Sequence, residues 1–307
     1  MTDDWRTAYR GRRVLVTGAL GFIGGHVAAT LAAAGAEVVT TSRGAGGTVQ
    51  VDLSEPGTGA AVIAAHRPAI VFNLAGYGVD PAERAVAAAE RINTELPAEL
   101  AQAMATVPDP SWPGQHVVHA GTALEYGTAA GDLREDTPCR PTTLYGTTKE
   151  AGTRRLLAAA AGHGVRATVA RLFTVYGPGE HAGRLLPTLR GAAGSAAAIP
   201  LTAGTQRRDF TWVGDVVEGM LRLGALPHRD VGIVNVATGR LITVREFVER
   251  SAAVLGIAPT RLAFGALPTR PEEMQHDDVR IARLEELTGW RPSTAIAEGV
   301  RRTAEAG

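Results

Sequence analysis

Two kinds of hydrophobic pattern alternate along the chain. Short continuous apolar runs that end in Gly or polar clusters read as buried parallel strands, and longer Ala-rich stretches with a helical period read as helices. On this basis RRVLVTG (12–18) is a strand, GFIGGHVAATLAAAG (21–35) a helix stopped by Gly35, AEVVTTS (36–42) and TVQVDL (48–53) two further strands, and GAAVIAAHRP (59–68) a helix. AIVFNLAG (69–76) is a fourth strand, and 81–105 is a long helical region with Pro97 as its kink or break. QHVVHAGT (115–122) is a fifth strand, 144–162 a helix, and RATVARLFTVYG (166–177) a sixth strand. After Gly177 the rhythm changes to Gly- and Pro-rich, irregular segments. They include one more core strand, GIVNVATG (232–239), a helix from Val244 to about Leu255, and a helix within DVRIARLEELTG (278–289). Strands alternating with helices predict an α/β fold: a doubly wound parallel sheet of Rossmann type, with ligand at the carboxyl ends of its strands. Residues 1–177 form the expected dinucleotide-binding domain, with 232–256 returning to it, and 178–307 a smaller, mainly substrate-binding lobe.

Composition narrows the class. Lys plus Arg and Asp plus Glu stand at 31 each, so nothing points to nucleic acid or an anionic membrane as partner. The start, MTDDWRTAYRGRR, lacks the apolar run of a secretory signal. No stretch reaches the roughly eighteen apolar residues that would span a bilayer. A soluble cytoplasmic protein is expected. The one cysteine, Cys139, lies in a Pro-flanked loop and is expected to do nothing chemical. His116 and His119 are three apart on a strand, face opposite ways and cannot share a metal, and no metal site is expected. More telling is Lys149: it is the one lysine, and every other basic residue of the 31 is arginine. Such a chain keeps a lysine where a compact ammonium serves and a planar guanidinium does not.

Gly18, Gly21 and Gly24 in GALGFIG sit between a strand and a helix. Small residues there let the backbone turn tightly, and the helix N-terminus offers N–H groups to a pyrophosphate. A dinucleotide fold usually ends its second strand with an acid that binds the ribose hydroxyls. Here Ser42 and Arg43 follow instead. Loss of the acid, gain of a guanidinium fork and a hydroxyl donor suit a 2′-phosphate, hence NADP(H). The alternative is a solvated Arg43 and a site that takes NAD.

Tyr145 and Lys149 are four apart on a predicted helix and share a face. With five tyrosines in the chain, random placement puts the one lysine there about five times in three hundred. A phenol exchanges protons poorly at neutral pH unless a neighbouring ammonium lowers its pKa, and this pairing predicts that effect. Thr122 closes the fifth strand and either caps backbone or orients a substrate oxygen.

The G-x-x-G-x-x-G spacing, Asp52-Leu53, NLAG (73–76), Asn93, YGTTK (145–149), RLFTVYGPG (171–179) and QRRDFTWVGDV (206–216) together resemble the extended short-chain dehydrogenase/reductases, the nucleotide-sugar epimerase/dehydratase family. The resemblance runs from about Arg13 to about Pro292. It implies cofactor contacts from Gly18, Gly21, Phe22, Ile23, Gly24, Ser42, Arg43, Asp52, Leu53, Leu74, Ala75, Gly76, Asn93, Tyr145, Lys149 and Phe173. It implies catalysis by Thr122, Tyr145 and Lys149, with Lys149 also on the nicotinamide ribose. Substrate contacts are implied for Thr122, Glu125, Tyr145, Thr174, Arg184, Arg208 and Arg270. Glu125 then touches substrate or faces solvent, and Tyr77 touches the sugar or packs. Thr174 replaces an Asn that many relatives place beside the substrate phosphate. Ala123 and Leu124 replace the Asp-Glu pair of the 4,6-dehydratases, which excludes dehydration. Arg184 replaces a His acid of the GDP-sugar epimerase-reductases, which counts against combined epimerisation and reduction. The expected activity is NADPH-dependent reduction of a keto-deoxysugar on a nucleotide diphosphate, at C4. A nucleotide-sugar epimerase is the alternative, and a cofactor-sensing protein without turnover a third reading. Homodimers through helices 81–105 and 144–162 are expected.

Overall fold

In the computed structural model, residues 5–79, 82–227, 231–268 and 276–306 are described. The strands are β1 (Arg13–Thr17), β2 (Glu37–Ser42), β3 (Val49–Gln50), β4 (Ile70–Asn73), β5 (Val117–Thr122), β6 (Ala167–Leu172), β7 (Thr174–Tyr176), β8 (Ile199–Leu201), β9 (Arg207–Trp212), β10 (Gly232–Val236), β11 (Leu241–Thr243) and β12 (Leu262–Phe264). The α-helices are α1 (Trp5–Tyr9), α2 (Phe22–Ala33), α3 (Thr58–His66), α4 (Val86–Ala89), α5 (Leu96–Ala105), α6 (Leu144–His163), α7 (Leu185–Ala192), α8 (Val213–Ala225), α9 (Val244–Val254), α10 (Ala282–Thr288) and α11 (Ile296–Glu305).

Seven strands form one parallel sheet in the order β10-β6-β5-β4-β1-β2-β3. The order reverses between β1 and β4, and a crevice opens there at the carboxyl ends. Side-chain alternation explains why the strands read as unbroken apolar runs. Val14, Val16, Ile70, Phe72 and Val118 pack against α1, α2 and α8 on one side. Leu15, Val71, Val117 and Val169 pack against α3, α5 and α6 on the other.

Four sequence expectations change. The run 166–177 splits at Phe173: β6 stays in the main sheet, and β7 pairs with β9 in a separate three-stranded sheet, Thr174 opposite Phe210. Helix α8 lies within the 178–307 segment assigned to the lobe, yet Val213, Val216, Val217 and Met220 are part of the main-sheet core. Strand β10 does return to the main sheet, but α9 does not. Val248 and Ala252 of α9 pack with Leu189, Ile199 and Leu201, and its Phe247 stacks on Phe210 with ring centroids 3.9 Å apart. Finally, α1 was not anticipated; its Tyr9 hydroxyl donates to the Leu221 carbonyl at 2.6 Å and pins the chain start to α8.

The long helical region is interrupted as expected. A π-helical turn, Glu90–Glu95, separates α4 from α5. Pro97 has no N–H for the Asn93 carbonyl one turn back. Gly152 of α6 lies directly over that carbonyl; a Cβ there would come within 1.8 Å of it. The break lets α6 approach closely and sets the position of its catalytic candidates.

Candidate functional site

The turn after β1 is shaped by its glycines. Gly18 has φ +66°, and a Cβ on it would meet the Leu74 carbonyl oxygen at 2.5 Å. A Cβ on Gly24 would sit 2.1 Å from the Gly18 oxygen. The N-cap of α2 is Gly21, with no side chain to occupy the first N–H groups. These N–H groups and the positive end of the helix are available to an anion, and the cradle fits a dinucleotide pyrophosphate. Phe22 and Ile23 are partly buried and pack on the core beneath, Leu53 is buried, and Leu74 and Ala75 are partly buried. Gly76 is exposed.

Beyond β2, Arg43 is exposed. The exposed Asp52 carboxylate accepts from the Ser54 N–H (2.9 Å) and hydroxyl (2.7 Å). These bonds hold it below the usual carboxylate range, and Arg43 adds a smaller attraction. Ser42 departs from expectation. Its hydroxyl donates to the Gly44 carbonyl (2.6 Å) and accepts from the Gly47 N–H (3.1 Å), so its proton is committed to the turn rather than offered to a ligand. Asn93 is likewise committed. It accepts from the Tyr77 N–H (3.0 Å) and donates to the Tyr77 carbonyl (2.7 Å) and the Thr148 hydroxyl (3.0 Å), fastening the loop after β4 to α6.

Thr122 ends β5, and Tyr145 and Lys149 lie in the first turns of α6, which packs on the turn after β5. The first turn of α6 packs on the turn after β5 so tightly that a Cβ on Gly146 would lie 2.5 Å from the Leu124 carbonyl. Thr143 caps α6 by accepting from the Gly146 N–H at 3.0 Å. Thr122 accepts from the Leu124 N–H at 3.3 Å, so the capping alternative holds, and its own hydroxyl proton remains to be donated. Tyr145 is partly buried against Gly78. The expected depression of this phenol is not found: burial, then Glu125, push it well above its ordinary value, Arg184 opposes, and Glu83 adds to the rise. Lys149, 2% exposed, directs its amine to His119 Nε2 at 3.0 Å.

The pattern that defines the NAD-dependent epimerase/dehydratase family matches residues 14–237. The chain belongs to that family. A dTDP-6-deoxy-L-talose 4-dehydrogenase (NAD(P)(+)) of Kitasatospora kifunensis is 34% identical, the match covering 94% of this chain and 93% of that one. A dTDP-4-dehydrorhamnose reductase of Streptomyces griseus is 30% identical, covering 92% of each. The solved structure of MoeE5 in complex with UDP-glucuronic acid and NAD matches with a TM-score of 0.80 at 30% identity, over 95% of this chain and 98% of that one. These relatives are NAD(P)-dependent nucleotide-sugar enzymes, and no helix among the described residues of this family member is long and apolar enough to cross a membrane.

On the substrate side of this epimerase/dehydratase-family chain, Glu125 is the main correction. It is fully buried and meets neither solvent nor an open cleft. Its carboxylate accepts from the Thr122 N–H (2.8 Å), the Thr153 hydroxyl (3.2 Å) and the Arg171 guanidinium (2.8 and 3.1 Å). Phe173 is partly buried against Tyr126, ring centroids 6.3 Å apart, and Thr174 opens β7. Arg184 is exposed at the start of α7 and acts on Tyr145. Arg208 is partly buried and donates to the Arg207 carbonyl at 2.8 Å. Arg270 lies outside the described residues. Tyr77 is held through its backbone by Asn93.

Two groups were missed. His119 was read only against His116. The two do part, His116 Nδ1 accepting the Arg166 N–H at 3.0 Å, but strand alternation also sends His119 to the α6 side, where Lys149 is. Glu180, in the loop between β7 and α7, has a buried oxygen with no hydrogen-bond partner among the described residues. Burial pushes its carboxyl up to about 7, Arg184 opposing. The folded chain keeps that proton between 4.5 and about 7, where an unfolded chain has lost it, so stability falls as pH rises through this window. Glu180→Gln is expected to gain about 1–3 kcal/mol over the parent at pH 8 and nothing at pH 4, as read from denaturant midpoints at the two pH values.

Proposed function

We propose that this protein is an NADPH-dependent ketoreductase of a 4-keto-deoxyhexose carried on a nucleoside diphosphate. The observation that supports the proposal is the close packing of the first turn of α6, which carries Tyr145, on the turn that follows Thr122 at the carboxyl end of β5. The relatives named as a 4-dehydrogenase and a 4-dehydrorhamnose reductase support the substrate class.

The cradle of Gly18, Gly21 and Gly24 holds the pyrophosphate, Asp52 and Leu53 flank the adenine, and Arg43 takes the 2′-phosphate. When bound, the reduced nicotinamide supplies the hydride for the carbonyl carbon. Tyr145 gives its phenolic proton to the carbonyl oxygen. Burial raises the phenol, so it is protonated at neutral pH, as a donor has to be. Thr122, whose oxygen already accepts a backbone N–H, turns its remaining donor toward the same substrate oxygen. Arg184 and Arg208 supply guanidinium forks for the diphosphate. Ala123 and Leu124 offer no group to move a proton at the neighbouring carbon, so water is not expelled.

The test is absorbance of NADPH with a nucleotide-linked 4-keto-6-deoxyhexose. Steady loss that scales with sugar is expected. Sugar conversion at constant NADPH would favour the epimerase, which returns its hydride to the same sugar. Arg43→Ala is expected to weaken NADPH binding about tenfold to a hundredfold, the worth of a charged hydrogen-bond pair, and to leave NADH binding within about twofold. Calorimetric titration with each nucleotide checks this.

A further inference from the structure

Buried carboxylates in this fold are well supplied with donors. Glu125 accepts from Thr122, Thr153 and Arg171. Asp209 accepts from the N–H groups of Thr238 and Arg240 and from the hydroxyls of Thr211 and Thr238. Asp215 accepts from the N–H groups of Ser293 and Thr294 and from the Thr294 hydroxyl. Glu180 is the exception. Its Oε2 is buried without a hydrogen-bond partner, and no other carboxylate oxygen among the described residues is in that state. The Arg184 charge and the Gly177 N–H both favour the ionised carboxyl, yet Oε2 is left without a donor. A carboxyl shielded from water and short of donors costs stability, and no contact within the chain offsets that cost at Oε2.

The place of this group matters. Its loop, between β7 and α7, lies against the start of α2. A Cβ on Gly177 would come 3.7 Å from the Phe22 ring, and one on Gly179 3.9 Å from it. The Pro178 carbonyl oxygen lies 2.8 Å from His26 Nε2. The same loop ends at Arg184, the N-cap of α7. Arg184 acts on the Glu180 carboxyl and on the Tyr145 hydroxyl alike. The carboxyl therefore stands beside the space bounded by the phosphate cradle, Arg184 and Tyr145.

We propose that Glu180 binds the sugar of the substrate, its unpartnered carboxyl oxygen accepting from a ring hydroxyl. This deepens the reading above and rests on its nucleotide-sugar part, not on the direction of hydride transfer. In that reading the diphosphate meets Arg184 and the C4 oxygen meets Tyr145. The sugar ring then spans the space between them, and its remaining hydroxyls call for partners. A hydroxyl has one proton to donate, and Oε2 lacks one donor. Burial pushes the carboxyl up to about 7, which is what holding an acceptor ready before its ligand arrives entails. The bound sugar supplies the donor that folding withholds.

The test is calorimetric titration of the full-length protein with dTDP-L-rhamnose, dTDP-glucose and UDP-glucose, each compared with its bare nucleoside diphosphate. In at least one pair the parent is expected to gain affinity from the sugar. In that pair Glu180→Ala is expected to weaken the nucleotide sugar about tenfold or more, the worth of a hydrogen bond to a charged group. The bare diphosphate and NADPH should stay within about twofold of the parent, well inside that loss. Glu180→Gln keeps an acceptor and loses the charge, so its sugar affinity is expected between those of the parent and Glu180→Ala, although its fold is the more stable one at pH 8. A tighter fold with a weaker sugar separates a lost contact from structural damage, and this variant decides if Glu180→Ala does not fold. Sugar affinity unchanged in the variants, an equal loss for sugar and bare diphosphate, a loss confined to NADPH, or no gain from any sugar in the parent overturns the proposal. No readout needs turnover: sugar binding through Glu180 without NADPH oxidation would sink the ketoreductase reading and leave this contact standing.

Discussion

Replacing Tyr145 with Phe is expected to lower ketone-reducing turnover by about 10²–10⁴-fold, the range for loss of a positioned proton donor, while thermal stability and NADPH affinity stay close to those of the parent. The phenyl ring keeps the packing against Gly78. What it loses is the hydroxyl. In the proposed mechanism that hydroxyl is the proton source, and its surroundings discourage the phenolate: the ring lies in a partly closed site, and Glu125 and Glu83 both disfavour a second negative charge. Arg184 is the countervailing charge on Tyr145, so Arg184→Gln should push the phenol still higher rather than activate it. Single-turnover kinetics on the purified chain, alongside calorimetric NADPH binding, separate loss of chemistry from loss of binding. A Tyr145→Phe chain that reduces at the parental rate would remove the phenol from the mechanism.

The second large effect is on stability. Arg171→Leu is expected to destabilise the fold by about 3–5 kcal/mol, the usual result of leaving one member of a buried ion pair uncompensated. Arg171 and Glu125 are 1% and 0% exposed and 2.8 Å apart. Arg171 also lies over the Tyr126 ring, 4.3 Å from its centroid, and reaches Cys139 Sγ at 3.5 Å. The Glu125 carboxylate in turn fixes the Thr122 backbone, so damage to the pair reaches the site. The double variant Arg171→Leu, Glu125→Gln removes both charges and should recover part of the loss, because no isolated carboxylate remains. Urea midpoints for the two single variants and the double variant give the coupling directly; purely additive losses would contradict it.

The parts of the fold that repeat a local pattern were legible in the chain. Every strand from β1 to β6 announces itself as a short apolar run, and GALGFIG lies between a strand and a helix as the sheet requires. Lys149 stood out by composition alone. What stayed hidden depends on contacts between distant segments. The break at Phe173 cannot be read from RATVARLFTVYG, because β7 leaves the main sheet only through its pairing with β9. The burial of Glu125 follows from the register that sets Gly121 opposite Arg171, in which the absence of a Gly121 side chain leaves room for the carboxylate. Helix α8 follows the Gly- and Pro-rich stretch and was assigned no element from the sequence, yet its apolar face completes the core beneath α2. The Ser42 hydroxyl was a plausible ligand donor until the turn that follows β2 took its proton.

The measurement closest to the central claim follows the hydride itself. NADPH carrying deuterium at both C4 positions of the nicotinamide is incubated with the protein and a nucleotide-linked 4-keto-6-deoxyhexose, and the sugar is analysed by mass spectrometry. Reduction predicts a product heavier by one deuterium at the new carbinol carbon, formed mole for mole with oxidised cofactor. A sugar that changes configuration without deuterium, while the labelled NADPH is undiminished, would contradict the assignment.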